Sequence, residues 1–172
     1  MALAVEGRGA AARSGVFLDT SVLLAGLVDF GRQSAPAQQV MLAVTERAVT
    51  AGTAWHCCLE VYSVATRLPP EFRLAPADAA RLLQEEVFAR LAIHDLPAGD
   101  RVSFVTALVQ DGIAGGRIYD AHIADIARAA GAGVIVTDNR RHFLAALRHG
   151  IRVETPAEFI AARKRRQTSV VP

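Results

Sequence analysis

Asp19 ends an unbroken apolar run, Val16-Phe17-Leu18, and is followed by two hydroxyl residues, Thr20 and Ser21, before a second apolar run starts at Val22. Asp138 repeats the arrangement: Val134-Ile135-Val136 runs into Thr137, Asp138 and Asn139. Two further acids, Glu60 and Asp120, lie in stretches with helical spacing, and Asp125 follows five residues after Asp120. Taken singly, each has a plain structural explanation as a helix cap or a solvated helix acid. Brought to one place, four carboxylates would repel and raise one another's pKa unless a cation neutralised them. The set contains no thiolate and no clear imidazole, so Mg²⁺, or alternatively Mn²⁺, is the fitting cation. Such a centre suits phosphodiester hydrolysis, in which the metal polarises the phosphoryl group, generates hydroxide and stabilises the leaving oxygen.

The surrounding elements must bring those acids to one edge. Val16 to Leu18 shows no polar alternation, as expected of a short strand buried on both faces of a parallel sheet. Thr20 and Ser21 are N-cap candidates for a helix running to about Val28. A second helix is read over residues 35–50 from Val40, Met41, Val44 and Val49. A third runs from Trp55 to about Leu68, where Pro69-Pro70 stops it. Pro76 opens a helix carrying Leu82, Leu83, Val87 and Leu91, followed by a short strand over 92–96 and a helix over 100–111. After the break at Gly112-Ile113-Ala114-Gly115-Gly116, a helix spans 119–130 and is ended by Gly131. Strand 134–136, a helix over 141–147, a strand over 151–153 and a last helix from Pro156 complete the chain. Short apolar strands alternating with longer helices predict an α/β fold, three α/β/α layers around a short parallel sheet. In such sheets ligands bind at the carboxyl ends of the strands, where Asp19 and Asp138 would sit.

Composition narrows the classes. The chain has 172 residues, 52% hydrophobic and 21% charged, enough for one domain with a real core. Residues 1–14 are read as a flexible lead, 15–162 as the domain and 163–172 as a basic tail. No apolar stretch approaches membrane-spanning length, so no membrane contact is expected, and a cytoplasmic location is the default. The net charge is +2, but Arg163, Lys164, Arg165 and Arg166 alone supply four positive charges. The body is therefore net acidic and does not bind nucleic acid by bulk field. Cys57 and Cys58 are adjacent and lack zinc-ligand spacing, so they are read as buried thiols. Gly7 to Ala12 matches a dinucleotide-binding pattern by letter, but it precedes the first strand instead of following it. No phosphate-cradling Walker pattern occurs.

Phe17-Leu18-Asp19-Thr20-Ser21, Leu59-Glu60-Val61, Tyr119-Asp120-Ala121-His122-Ile123-Ala124 and Val136-Thr137-Asp138-Asn139 with Phe143 together resemble PIN domains. Within that group they are similar to the VapC-type toxin ribonucleases of bacterial toxin–antitoxin pairs, over roughly residues 16–160. The resemblance implies a divalent-metal-dependent endoribonuclease with RNA as substrate, a small antitoxin as partner, and a homodimer. It makes Asp19, Glu60, Asp120 and Asp138 the acidic quartet, with Asp19, Asp120 and Asp138 on the metal. Thr20, Ser21, Thr137 and Asn139 would support the metal or its waters, and Asp125 would have a supporting role. An arginine of the antitoxin is expected to enter the acidic site, anchored on apolar surface of the helices over 22–28 and 40–49. The alternative is a PIN-like RNA-binding or scaffold module with little catalysis, against which the intact Asp19, Asp120 and Asp138 argue. A haloacid-dehalogenase-type phosphatase needs a second Asp where Ser21 stands. A receiver domain needs paired acids ahead of its phosphoacceptor strand, and none flanks Val16.

Overall fold

The computed structural model describes residues 15–168. The flexible lead expected over residues 1–14 and the last four residues of the basic tail lie outside them. Five strands form one sheet: β1 (Gly15–Leu18), β2 (Ala51–Ala54), β3 (Ala92–His94), β4 (Ala132–Val136) and β5 (Arg152–Glu154). Their order is β3-β2-β1-β4-β5, and every pairing is parallel. From β1 the chain steps outward through β2 to β3, then crosses back to β4 and on to β5. The direction reverses between β1 and β4, and a crevice opens beyond the carboxyl ends of strands at such a point.

Among the described residues eight α-helices cover the sheet: α1 (Thr20–Leu27), α2 (Ala35–Thr45), α3 (Trp55–Ala65), α4 (Pro76–Leu82), α5 (Arg101–Gln110), α6 (Arg117–Ala129), α7 (Leu144–Arg148) and α8 (Pro156–Thr168). Helices α1 and α2 pack on each other, and α8 returns onto α2. The close approach of α1 to α2 runs through Gly26, where an added Cβ would press on Met41 and on the Ala37 carbonyl oxygen at 3.1 Å. Helix α6 lies over β2 and β4. Its apolar face, Ile123, Ala124, Ile126 and Ala127, is buried with Phe17, Leu18, Ile135 and Val136 in one core. Cys57 and Cys58 are buried free thiols there, as expected. Among the described residues no helix is long and apolar enough to cross a membrane.

Several elements depart from the sequence pattern. The helix read over 35–50 stops at Thr45, and Ala51–Ala54, to which the sequence pattern assigns no element, forms strand β2. Ala51-Gly52-Thr53-Ala54 carries no β-branched run, and it is a strand because it pairs with β1 on one side and β3 on the other. Gly52 is required there, since a Cβ would meet the His94 ring at 2.9 Å. The helix from Pro76 widens into a π-helical stretch over Leu83–Phe88. Strand β3 ends at His94 rather than Leu96, and β5 lies one residue later than read. The helix expected over 141–147 is a 3₁₀ turn, Arg140–His142, followed by α7. The boundary drawn after Ala162 falls inside α8, so Arg163 to Arg166 sit on its last turns rather than on a separate tail.

Candidate active site

Strand β1 delivers Asp19 to the crevice, and its backbone N–H donates to the Val136 carbonyl at 3.1 Å, which ties the ends of β1 and β4 together. Asp19 itself, in extended conformation, is the N-cap of α1, yet its side chain makes no capping bond. The carboxylate instead accepts from two hydroxyls on one oxygen: Ser21 Oγ and Thr137 Oγ1 each donate to Oδ2 at 2.8 Å. Ser21 Oγ in turn accepts the Asp138 backbone N–H at 3.1 Å, and Thr137 Oγ1 accepts that of Asn139 at 2.9 Å. Thr20 donates to Glu60 Oε2 at 2.6 Å, joining α1 to α3. Thr20 and Ser21, read as caps or metal supports, therefore act by orienting the carboxylates.

Asp120 comes from the first turn of α6, and its Oδ2 lies 3.5 Å from Nδ1 of His142. Asp19, Glu60 and Asp120 line one cleft of about 570 Å³, together with Arg117, Tyr119, Asn139 and His142. Phe143 is fully buried, and its burial, a contribution of about 2 kcal/mol, anchors the turn that holds Asn139 and His142 at the rim.

The electrostatics follow from this crowding. Asp19 is 5% exposed, and burial pushes its carboxyl up; the hydrogen bonds from Thr137, Ser21 and the Thr20 backbone oppose that, while the Glu60 charge adds to it. Asp120 is raised by burial first; His142 works against the shift, and Asp19 and Glu60 add to it. Asp138 is also raised, by burial alone, without any contribution from the other acids.

The register pairs Leu18 with Val136, so the residue abreast of Asp19 is Thr137, not Asp138. The cleft is lined by Asn139 on the far side of it, and Asp138 meets the network only through its backbone N–H. Asp125 does not reach the site either. It is buried and pairs with His149 at 3.0 Å and Arg128 at 3.2 Å, beside a separate cavity of about 220 Å³ between α5, α6 and α7. Sequence reasoning missed Arg117, Tyr119 and His142; the glycine-rich break before α6 and the anchoring Phe143 are the signals that place them.

Three oxygen-donor acids with one imidazole as the nearest counter-group form a hard-ligand set short of positive charge. That chemistry fits a divalent cation. Among the described residues no three acidic, histidine or cysteine side chains already converge on one point.

The PIN-domain family profile matches residues 15–141. Over 126 residues the chain is 32% identical to ribonuclease VapC40 of Mycobacterium tuberculosis, covering 71% of this chain and 85% of that protein. Over 69 residues it is 46% identical to ribonuclease VapC27 of the same organism, covering 40% of this chain and about half, 48%, of that protein. The solved structure of VapBC2 from Rickettsia felis, bound to a DNA fragment from their promoter, superposes with a TM-score of 0.56 at 20% identity, over 82% of this chain and 98% of that one.

Proposed function

Because this chain belongs to the PIN-domain family and, within it, to the VapC proteins, we propose that it is the endoribonuclease of a toxin–antitoxin pair, hydrolysing RNA with Mg²⁺ or Mn²⁺. The observation that carries this reading is the convergence of Asp19, Glu60 and Asp120 on one cleft at the carboxyl edge of the sheet. In the proposed site these three acids hold the cation. When bound, it supplies Lewis-acid polarisation of the phosphate and a water of lowered pKa. Ser21 and Thr137 fix Asp19, and Thr20 fixes Glu60, so the acids need little reordering on loading. Arg117, on the cleft wall, would meet a phosphate oxygen of the substrate. His142, with Nδ1 3.5 Å from Oδ2 of Asp120, is the group beside that carboxylate that would orient it.

The test is cleavage of RNA by the purified full chain in Mg²⁺ or Mn²⁺, stopped by chelator. Cutting that continues in excess chelator overturns the metal-dependent reading, and binding without cutting in either metal favours the RNA-binding module. The register yields a sharper prediction within the site. Asp138→Asn is expected to stay within about threefold of wild type, whereas Asn139→Ala falls roughly 10- to 100-fold, as for a ligand-supporting residue. Single-turnover rates on one oligonucleotide decide it, and a large loss at Asp138 with none at Asn139 reverses the assignment.

The antitoxin is proposed to silence the protein by placing an arginine among the three acids, where a guanidinium competes with the metal for the same oxygens. Of the helices expected to supply the apolar anchor, Val22, Val28, Val40 and Val44 are buried, while Leu42 is exposed and Leu24 lines the acidic cleft. Trp55, Leu59 and Tyr62 on α3, with Phe88, are exposed as well, and line a groove on the helix that carries Glu60. A complex with the small protein encoded next to this chain is expected to lose Mn²⁺ binding and cleavage together. A complex that binds Mn²⁺ and cuts RNA like the free chain rules this mode out.

A further inference from the structure

Tyr119, the residue before Asp120, is 52% exposed although it lies on the wall of a deep cleft. Its ring is stacked on that of His56, with centroids 5.0 Å apart and planes within 5°. His56 meets His122 edge-on at 6.5 Å, and His122 lies against Phe104 at 5.3 Å. The rings form a ladder from the half-buried Phe104 on α5 to the open cleft, and Tyr119 is its outermost rung. The ladder also joins the two helices that bring acids to the site. His56 stands one turn before Glu60 on α3, and Tyr119 adjoins Asp120 on α6.

Nothing in the handling of a phosphate or a cation uses an aromatic face. A ring fixed in orientation by a parallel partner, half open to solvent, and set beside a site for a phosphodiester suits a planar π-surface. The nucleobases are the planar groups attached to that backbone. Stacking on aromatic rings is how proteins hold unpaired bases, and it tolerates any sequence because every base has such a face. We propose that Tyr119, backed by His56, stacks the base adjoining the cleaved phosphate, so that the protein selects RNA whose base at that position is unpaired. The inference rests on the nuclease reading and adds to it the form of the substrate.

The experiment uses the full chain and an RNA oligonucleotide with a mapped cut, in single turnover. Tyr119→Ala and Tyr119→Leu are expected to raise the half-saturating concentration roughly 10- to 100-fold, the range for one lost base stack, while changing the saturated rate little. Tyr119→Phe keeps the stack and is expected within about twofold of wild type. Removing the base next to the cut should cost wild type a similar factor and cost Tyr119→Ala almost nothing further, because the two changes delete one contact. Full loss in Tyr119→Leu separates stacking from mere filling of space, and melting curves identify any variant that fails to fold. An unchanged half-saturation in Tyr119→Ala, or an abasic penalty undiminished in that variant, overturns the proposal. Fluorescence anisotropy in chelator, where nothing is cut, reads the same contrasts as binding alone. Tyr119-dependent binding by a chain that never cleaves would uphold the stack and overturn the nuclease reading.

Discussion

Asp19→Asn is expected to slow RNA cleavage roughly a thousandfold or more and to make the metal-free protein harder to unfold. The substitution removes, at nearly constant volume, a charge that the proposed site uses as a metal ligand, and the loss of one such electrostatic partner costs several kcal/mol of barrier. The second effect follows from burial. A carboxylate 5% exposed, facing Glu60 and pushed up by desolvation, is a destabilising charge when no cation meets it. An asparagine oxygen still accepts from Ser21 and Thr137, so the network survives while the charge goes. The gain is on the order of 1 kcal/mol, or about 2–4 °C in Tm for a chain of this size. Its pH dependence has a definite sign. Between the ordinary aspartate value and the raised one, the folded state keeps a proton that the unfolded state has lost. Wild-type stability in chelator therefore falls as pH rises through that window and stays lower above it. Asp120 and Asp138, also raised, act in the same direction. Thermal melts of both proteins in chelator, from about pH 4 to about pH 8, should diverge as pH rises. Curves that run parallel, or a less stable variant near neutrality, would show that Asp19 is not an uncompensated charge.

Withdrawing and restoring the metal has the second large effect. Excess chelator is expected to bring cleavage to background and lower the Tm, and Mn²⁺ to restore both. The restored stability grows as the logarithm of free metal over its dissociation constant, about 2.7 kcal/mol at a hundredfold excess over that constant. Asp19→Asn should show little of this rise, because it lacks both the ligand and the charge that the cation relieves. Asp120→Asn should show a reduced rise, as its carboxylate is less buried than that of Asp19 and partly offset by His142. A metal-induced shift equal in wild type and Asp19→Asn would place the cation elsewhere.

Much of this was legible in residue order, and the remainder shows where local pattern stops. The apolar runs before Asp19 and before Thr137 marked two buried parallel strands, since a strand covered on both faces shows no polar alternation. Strand β2 left no such mark, because Ala51-Gly52-Thr53-Ala54 takes its conformation from the two neighbours it pairs with. Asp125 has the residue type of a ligand and lies five residues from Asp120, but that spacing turns it away on α6 toward Arg128 and His149.

The sequence by itself determined the chemistry on offer: hard oxygen donors at strand ends, hydroxyls beside them, and the alternation of strand and helix that gathers such residues at one sheet edge. Only the tertiary structure decided which of them meet. Thr137, Asp138 and Asn139 are equivalent as a string of polar residues, and the choice among them is made by the pairing of Leu18 with Val136, more than a hundred residues apart in the chain. That pairing sets Thr137 abreast of Asp19 and leaves Asn139 to the cleft. The bond from Thr20 to Glu60 likewise spans forty residues. Periodicity is a property of neighbours along the chain, whereas register is fixed by packing and hydrogen bonds between segments that the chain order does not align.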